Sequence, residues 1–253
     1  MELKMEKKPK EEATSNQSIQ QAYDRAKLYN DLFAHDINNI LNNIKSAATL
    51  SSENLKKRGN SSHNEKLINL IQDQVERGIK VIKNLQDLYK LEENEMKLKP
   101  INLCEPLNKS IEQIKNAFQE KPLYILIDSK KKRYRVLANE LLQEVFNNIL
   151  NNAVKYNDRS AIIVSIRIRE VNLKTKKYIE LEFQDNGIGI SDIRKKQIFV
   201  KQLDQHSSNG GMGLGLFLVK RVIDEYNGYI HVEDRVKGDY SQGSNFVIKL
   251  PLT

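Results

Sequence analysis

The sequence predicts an α+β chain in which a long helical hairpin precedes an α/β sandwich. Two observations carry this prediction. Apolar residues recur at helical spacing over two long stretches, which only a short polar break separates. Beyond Pro100 the pattern changes, and short β-branched runs alternate with amphipathic helices and glycine-rich loops. That order is typical of a sheet with helices on one side.

The N-terminal half is predicted to be helical after a short disordered start. Residues 1–15 have mixed charge and few large apolar side chains, so we expect them to be disordered. One helical series follows over about residues 18–52, polar residues 56–62 end it, and a second series runs over about residues 67–88. Each helix has one apolar stripe, so we expect two copies of the hairpin to pair as a four-helix bundle.

The C-terminal half is predicted to alternate helices and strands. β-branched and aromatic runs mark the strands, and amphipathic runs mark the helices. The predicted helices cover about residues 104–119, 140–156 and 214–226, and the predicted strands cover about residues 123–127, 133–137, 162–168, 178–183, 229–232 and 245–250.

Composition limits the class of protein. Of the 253 residues, 39% are hydrophobic and 29% are charged, which suits a globular chain with a well-solvated surface. No apolar run approaches the roughly 20 residues that span a bilayer, and the charged N-terminus is no signal peptide. The single Cys104 excludes an internal disulfide. We therefore expect a cytoplasmic protein without a membrane segment, with any membrane or sensor tether in regions outside this chain.

The net charge of +8 raises nucleic-acid binding as an alternative. However, the lysines are spread along the chain and mixed with 33 acidic residues. The clearest basic run, residues 130–133, lies between two predicted strands and has no aromatic stacking platform. We predict a solvated turn there and no nucleic-acid partner.

The first helix places His35 on a polar face. At about 100° per residue, Asn39 lies near His35 and the apolar residues lie opposite it. Asp36 follows directly, and a carboxylate beside a neutral imidazole suits phosphoryl chemistry, because it can orient or accept the other ring proton. A surface histidine on a solvated, asparagine-rich helix fits the same pattern. The residues predicted to face the hairpin core are Phe33, Ile37, Ile40, Leu41, Ile44 and Ala48.

One predicted helix carries polar residues at unusual positions. Asn148, Asn152 and Lys155 stand at i, i+4 and i+7 and therefore share one face. Asn is a poor helix former, so two asparagines on one helix face need an explanation. A side-chain amide oxygen is a hard ligand suited to Mg²⁺, and a lysine can meet phosphate. The general richness of this chain in Asn and Lys accounts for the same residues.

A strand then runs into Asp-x-Gly-x-Gly at Asp185, Gly187 and Gly189. The glycines allow a tight turn and the close approach of a flat ligand to the backbone. The aspartate can accept a hydrogen bond from an exocyclic amine such as that of adenine. An ordinary turn between two strands has the same composition.

A second glycine loop opens the last predicted helix. Gly211, Gly213 and Gly215 leave backbone N–H groups free where the helix dipole favours phosphate oxygens. The loop lacks the Lys-Ser/Thr ending of a P-loop, and no strand leads directly into it as in a Rossmann fingerprint. A plain glycine linker is the alternative, but this segment continues into an apolar helix.

In this order the three segments resemble the N box and two glycine boxes of the GHKL (Bergerat) ATP-binding fold, shared by histidine kinases, gyrase, MutL and heat-shock chaperones. Residues 243–246 are similar to its last glycine box, and residues 33–39 resemble the H box of dimerisation and phosphoacceptor domains. The chain thus resembles the catalytic core of a sensor histidine kinase over nearly its whole length. The domains expected on this basis are a dimerisation and phosphotransfer hairpin at 16–97 and an ATP-binding domain at 98–253.

The resemblance implies a role for each site residue. It makes His35 the phosphoacceptor, Asp36 its acid/base, and Asn39 the residue that positions water when the partner is dephosphorylated. In the implied nucleotide site, Asn152 holds Mg²⁺ with Asn148 in support, and Lys155 and Tyr156 border the nucleotide. The adenine base is bound by Asp185, Gly187 and Gly189. The phosphates are bound under a lid of about residues 195–210 by Gly211, Gly213, Leu214, Gly215 and Leu216.

The implied function is that of a homodimeric, Mg-ATP-dependent histidine kinase. It would phosphorylate His35, pass the phosphoryl group to an aspartate of a response-regulator receiver domain, and act as a phosphatase on that partner. The signal would come from an upstream sensor domain or a sensor partner. Two alternatives are a GHKL protein-serine kinase, which has no need of the hairpin, and a nucleotide-binding dimeric scaffold that binds a regulator without phosphotransfer.

Two segments depart from the family pattern. The H box reads His-Asp where His-Glu is usual and has no proline shortly after, so we expect a straighter helix there. The segment before the lid, residues 197–202, keeps Phe199 but lacks a second aromatic residue and an arginine. We therefore expect lid closure to differ from that of similar kinases.

Overall fold

The structure, a computed structural model, describes the chain except for six short gaps. Contacts divide it into two compact units, Met1–Leu85 and Gln86–Thr253. The described residues are 7–57, 61–92, 97–119, 121–173, 176–199 and 214–253.

Two long helices, α1 (Lys7–Lys56) and α2 (Ser61–Glu92), form the hairpin. Helix α1 begins within the stretch predicted to be disordered. Residues 7–15 are helical, because the Lys and Glu that make this stretch polar, and Ala beside them, are good helix formers. Residues 1–6 lie outside the described part of the chain. Over the described residues, no helix combines the length and hydropathy that crossing a membrane requires.

The hairpin packs along one stripe of each helix. Gly78 of α2 lies against α1, where an added Cβ would be 3.8 Å from Ile40 Cγ2. Polar side chains also join the helices, since Asn43 Nδ2 donates a hydrogen bond to Gln74 Oε1 at 3.3 Å. The core is therefore partly polar. Its buried apolar residues include Ile40, Ala47, Leu67 and Val81.

The buried stripe of α1 is rotated from the predicted one. Leu41 and Ala48 were expected in the core, but Leu41 is 55% exposed and Ala48 is also exposed. Ala47 and Asp36 are buried instead. Neighbouring helix positions differ by about 100°, and a single partner helix covers only a narrow stripe, so residues beside Ile40 remain in water.

The second unit contains a five-stranded mixed sheet and a two-stranded sheet. Its elements in chain order are β1 (Lys99–Asn102), α3 (Cys104–Ala117), β2 (Leu123–Ser129), β3 (Arg135–Ala138), α4 (Leu141–Lys155), β4 (Ile162–Leu173), β5 (Lys176–Asp185), α5 (Asp192–Lys195), α6 (Leu214–Glu225), β6 (Tyr229–Val236) and β7 (Asp239–Pro251). The large sheet has the order β2-β4-β5-β7-β6, with β2 and β4 parallel and the other pairs antiparallel. Strands β1 and β3 pair antiparallel.

The helices cover one face of the large sheet. Along β4, Ile162, Val164, Ile166 and Ile168 are buried and alternate with more exposed residues, as expected of a strand with one covered face. Phe146 of α4 meets Phe183 of β5 with ring centroids 5.8 Å apart. The predicted α+β fold, a helical hairpin followed by an α/β sandwich, is confirmed.

Candidate nucleotide and phosphoacceptor sites

His35 lies on the open side of α1, with its side chain 41% exposed. Its Nδ1 is 3.2 Å from Asp36 Oδ1, and Asn39 Nδ2 lies 3.4 Å from its Nε2. An ionised carboxylate can only accept a hydrogen bond, so this contact assigns the ring proton to Nδ1. Nε2 then carries the lone pair, and the Asn39 amide nitrogen lies at nearly equal distances from the two ring nitrogens, 3.5 Å from Nδ1 and 3.4 Å from Nε2. The structure thus brings together the three side chains predicted for phosphoryl chemistry.

Helix α4 holds the predicted amide and lysine residues in a series that runs from the interior to water. Asn148 is buried, and its Nδ2 donates to Glu144 O at 2.9 Å. One turn later Asn152 is half-buried. Lys155 is exposed, with Nζ 5.3 Å from the centre of the Tyr156 ring. The three residues share one face, and only the last two are open to a ligand in water.

The start of α6 packs against α4 at a glycine. An added Cβ at Gly215 would lie 2.4 Å from Asn148 Oδ1, so a larger residue would displace the asparagine. Leu214 is buried and Leu216 is half-buried on the same first turn. The first turn of α6 and the asparagine helix therefore meet.

The segment predicted as a lid is attached at its beginning. Lys195 Nζ forms ion pairs with Asp234 of β6 and, at 2.6 Å, with Asp192. The Phe199 ring lies edge-on to Phe246 of β7, with centroids 6.3 Å apart. The rest of the predicted lid, residues 200–210, and the predicted phosphate-binding Gly211 and Gly213 lie outside the described residues.

Asp185 ends β5 as a buried carboxylate, with 5% of its surface exposed. Its Oδ1 accepts hydrogen bonds from Gly187 N at 2.8 Å and Ser244 N at 3.4 Å, and its Oδ2 accepts one from the Ser244 hydroxyl. Burial raises the pKa of the Asp185 carboxyl, while these hydrogen bonds and the charge of Arg235 act against that rise. A buried, oriented acceptor of this kind can select a ligand that donates a hydrogen bond.

Two glycines let the backbone close around Asp185. Gly189 has φ +69°, and an added Cβ there would lie 1.6 Å from Tyr240 O. Gly243 has φ +114°, and its added Cβ would lie 2.0 Å from Asp185 O. Both positions combine a left-handed backbone with close contact, so a side chain fits at neither.

The end of α4 and the aspartate loop touch through their backbones. Ile188 N donates to Tyr156 O at 3.1 Å, and an added Cβ at Gly187 would lie 2.4 Å from the same oxygen. Lys155 and Tyr156 therefore lie beside the loop that carries Asp185. The aspartate loop and the start of α6 thus both lie against α4.

Ser244 was not identified from the sequence as a partner of Asp185. It follows Gly243 in the last glycine box, which was its only signal. The pairing of β5 with β7, which aligns Gln184 with Asn245, is what brings Ser244 to the carboxylate. That register depends on strands that are distant in the chain and leaves no local pattern.

The residues present fit a nucleotide-bound Mg²⁺. Asn152 offers a half-buried amide oxygen, the kind of hard ligand that Mg²⁺ takes. Among the described residues there is no group of three or more His, Cys, Asp or Glu side chains that could hold a metal. A divalent cation here would therefore take most of its ligands from nucleotide phosphates and water.

Comparison with protein families assigns both halves of the chain. The His Kinase A (phospho-acceptor) domain matches residues 32–94, which include His35. The histidine kinase-, DNA gyrase B- and HSP90-like ATPase domain matches residues 138–253, which include all three nucleotide segments. The chain belongs to the histidine kinases. Its two matched domains are those of the catalytic core of this family.

Curated relatives of this histidine kinase are longer proteins. The autoinducer 2 sensor kinase/phosphatase LuxQ of Vibrio vulnificus (strain YJ016) is 27% identical over 256 residues, which cover 95% of this chain and 28% of LuxQ. The adaptive-response sensory kinase SasA of Synechocystis sp. is 31% identical over 157 residues, which cover 61% of this chain and 39% of SasA. The chain thus spans well under half the length of these relatives.

Solved structures share the histidine kinase fold. Histidine kinase ThkA, crystallised in complex with response regulator protein TrrA, is similar with a TM-score of 0.66 and 17% identity, over 94% of this chain and 66% of ThkA. The mycobacterial sensor histidine kinase MprB is similar with a TM-score of 0.52 and 22% identity, over 61% of this chain and 97% of MprB. At these identities the likeness concerns the fold.

Proposed function

We propose that this histidine kinase core phosphorylates His35 from Mg-ATP and passes the phosphoryl group to an aspartate on a separate response-regulator receiver domain. The observation that carries the proposal is the exposed His35 imidazole, hydrogen-bonded to Asp36, within a matched phosphoacceptor domain. We assign phosphotransfer and dimerisation to residues 16–97 and nucleotide binding to residues 98–253.

The two ring nitrogens of His35 have different tasks in this proposal. Nε2 attacks the γ-phosphorus, and an N–P bond forms while the bond from that phosphorus to the β,γ-bridging oxygen breaks. ADP leaves with that electron pair. The ring becomes positively charged, and Nδ1 releases its proton toward Asp36 Oδ1, which lies 3.2 Å away. Asp36 thereby orients the ring and accepts its proton.

The nucleotide is held by residues of the second unit. Asp185 accepts a hydrogen bond from the exocyclic amine of adenine, while Lys155 and Tyr156 border the nucleotide. Asn152 would hold Mg²⁺ through its amide oxygen, and Asn148 would support it. When bound, the metal neutralises charge on the phosphates. The N–H groups at the start of α6 face the phosphate oxygens.

Asn148 favours transfer to a side chain over hydrolysis. A water molecule becomes a nucleophile when a base takes its proton, and an amide cannot do so. The Asn148 amide is moreover buried and already donates to Glu144 O. This supports a kinase that transfers the γ-phosphoryl group of ATP to His35 rather than to water.

We further propose that the protein is a cytoplasmic homodimer that receives its signal from an upstream sensor domain or a sensor partner. The phosphoacceptor domain match and the exposed apolar residues of the hairpin support dimerisation. The kinase/phosphatase name of LuxQ and the ThkA–TrrA complex support a response regulator as the substrate. We assign dephosphorylation of that regulator to Asn39, which lies close to the His35 ring.

The test is incubation of the chain with γ-labelled ATP and Mg²⁺, beside His35→Gln and Asp185→Asn. We expect acid-labile, base-stable label on the wild type and on the matched surface variant Asn42→Ala, and none on the other two. Label that persists in His35→Gln would exclude His35 as the acceptor. Measurable ATP binding without any label would favour the dimeric scaffold over the kinase.

A further inference from the structure

Asn186 uses its side chain to extend the pairing of β4 with β5. The last regular pair of these strands is Val164 with Asp185. Beyond it, Asn186 N donates to Ile163 O at 3.2 Å, and Asn186 Oδ1 accepts from Ile163 N at 2.9 Å. Asn186 Nδ2 also donates to Ala161 O at 3.0 Å. One side chain thus holds the first peptide after Asp185 onto the neighbouring strand.

A second asparagine connects this arrangement to the end of α4. Asn157 is buried, and its Nδ2 donates to Asn186 Oδ1 at 2.8 Å while its Oδ1 accepts from Arg159 N at 3.1 Å. The Arg159 guanidinium returns to the loop, because its Nε donates to Asn186 O at 3.3 Å. Its Nη2 reaches Ser241 O at 3.5 Å. The side chain and carbonyl of Asn186 are therefore both bound by the segment that follows α4.

These contacts hold the backbone turn that directly follows Asp185. Asp185 Oδ1 binds Gly187 N across Asn186, so the residue between them sets the turn on which that bond depends. The same hydrogen bonds connect the loop of Asp185 to the end of α4, where Lys155 and Tyr156 lie. We propose that Asn186, with Asn157 as its partner, is a positioning residue that directs Asp185 to the exocyclic amine of a purine base. This inference rests on the proposed ATP-binding function.

A purely structural role predicts a different result from a positioning role. If Asn186 only stabilised the fold, its loss would lower the free energy of unfolding and weaken all purine nucleotides equally. If it positions Asp185, its loss weakens the nucleotide that has the amine more than the one that lacks it. The preference between two such nucleotides therefore separates the two roles.

The experiment measures binding of ATP and of purine-riboside triphosphate, which lacks the exocyclic amine, to the full chain by calorimetry. We expect the wild type to prefer ATP, and Asn186→Ala to reduce that preference by about tenfold, the equivalent of one good hydrogen bond. Asn157→Ala should reduce it less. The double variant should equal Asn186→Ala, because both residues act through the same contact.

Two control variants separate positioning from stability. Asn151→Ala removes an exposed asparagine of α4 whose Nδ2 donates a hydrogen bond to Asn147 O at 2.6 Å, and the preference should be unchanged. Tyr226→Phe removes a buried hydroxyl that donates to Asn139 Oδ1 and accepts from Asn139 N, so it should lower stability, again without changing the preference.

An unchanged preference in folded Asn186→Ala would overturn the inference and leave the proposed function intact. If Asn186→Ala does not fold, Asn157→Ala decides in the same way, a reduced preference supporting the inference and an unchanged one overturning it. A wild type that binds no ATP would overturn the proposed function itself. A wild type that binds ATP without regard to the amine would overturn both the role assigned to Asp185 and this inference.

Discussion

His35 and Asp36 are adjacent in the chain but have different surroundings. His35 reaches solvent, whereas the Asp36 side chain is only 8% exposed. Neighbouring helix residues point about 100° apart, so one can face a partner while the other faces the interior. The carboxylate is thereby restrained, and the imidazole it binds stays accessible. We expect Asp36 to act on the reactivity of His35 and not on nucleotide affinity.

Replacing Asp36 by asparagine tests that role. Asp36→Asn keeps an oxygen that can accept from His35 Nδ1 but cannot take its proton. We expect autophosphorylation to slow by about 10²-fold or more, with ATP affinity unchanged, because the nucleotide residues belong to the other unit. Rates of label incorporation and calorimetric binding measure both, and Asn42→Ala is the exposed control. An unchanged rate would contradict the proton-accepting role.

Asp185 should lower stability at neutral pH. Burial raises the pKa of its carboxyl in the folded state above the value of about 3.9 expected in the unfolded chain. The folded protein therefore binds the proton more tightly, and its stability falls as pH rises from the unfolded pKa through the folded one. In Asp185→Asn this loss is absent. The amide can keep the pocket contacts, since the Ser244 hydroxyl can also accept a hydrogen bond.

We therefore expect Asp185→Asn to gain free energy of unfolding relative to the wild type as pH rises above about 4, and the gain to become constant above the folded pKa. The same variant should lose ATP binding, so stability and function change in opposite directions. Urea unfolding of both proteins across that pH range provides the measurement. The prediction would be contradicted if the wild type became more stable relative to the variant as pH rises.

At the scale of elements, the β6–β7 hairpin contains a matched pair of glycines. Gly238 and Gly243 both have left-handed backbones, with φ +81° and +114°. An added Cβ at Gly238 would meet nothing within 4 Å, whereas at Gly243 it would lie 2.0 Å from Asp185 O. Gly238→Ala therefore measures backbone strain alone, and Gly243→Ala adds the displacement of β5 from β7.

We expect Gly238→Ala to lower the free energy of unfolding by about 1–2 kcal/mol and to leave ATP binding unchanged. Gly243→Ala should lower it by about 4 kcal/mol or more, because strain and backbone collision combine, and should weaken ATP binding. Denaturant unfolding and calorimetry measure the two effects. Equal losses in the two variants would show that the close approach of Gly243 to Asp185 has no energetic weight.

The elements themselves followed from local periodicity where they were long enough. Helix α4 and strand β4 begin within one residue of their predicted starts, because amphipathic and alternating patterns repeat several times along them. Strand β1 and helix α5 were not predicted. Each has only four residues, too few to show a period. The hairpin ends of β6 and β7 were also missed, because their residues are exposed and show no apolar alternation.

At the scale of the whole molecule, α2 has an apolar stripe that the single chain leaves in water. Its members lie within about 60° of one another and beside, not within, the stripe that packs on α1. Contiguous exposed apolar surface of this kind marks an interaction site. A second copy of the hairpin is the occupant that a four-helix bundle predicts. The residues are Ile68, Val75, Ile79 and Ile82.

Ile79, the most exposed member at 63%, is the residue to change. Ile79→Lys places a charge where the second copy would pack. Since burying an unpaired charge is costly, we expect the dissociation constant of the dimer to rise by at least about 100-fold. Sedimentation velocity over a concentration series measures the change. Leu70→Lys, on the opposite face of α2, is the control and should remain dimeric. A dimer that survives Ile79→Lys would place the interface elsewhere.

The sequence by itself determined the fold class, the order of the nucleotide segments and the open position of His35. These features rest on local patterns, namely helical period, strand alternation and residue types at short spacing. The individual roles of Asn39, Asn148, Asn152 and Lys155 came from the family resemblance and remain predictions. The two helices that carry them, α1 and α4, were predicted from helical periodicity and are present in the structure.

Only the tertiary structure decided which partners those residues have. Asp36 is buried, Gly215 packs on Asn148, and Ser244 binds Asp185, although 59 residues separate the last two in sequence. Strand register and helix packing create such contacts, and both are set by the whole core at once. A one-residue change of register would turn Ser244 to the other face of β7. No local pattern encodes that choice, so the pocket around Asp185 had to be seen in the folded chain.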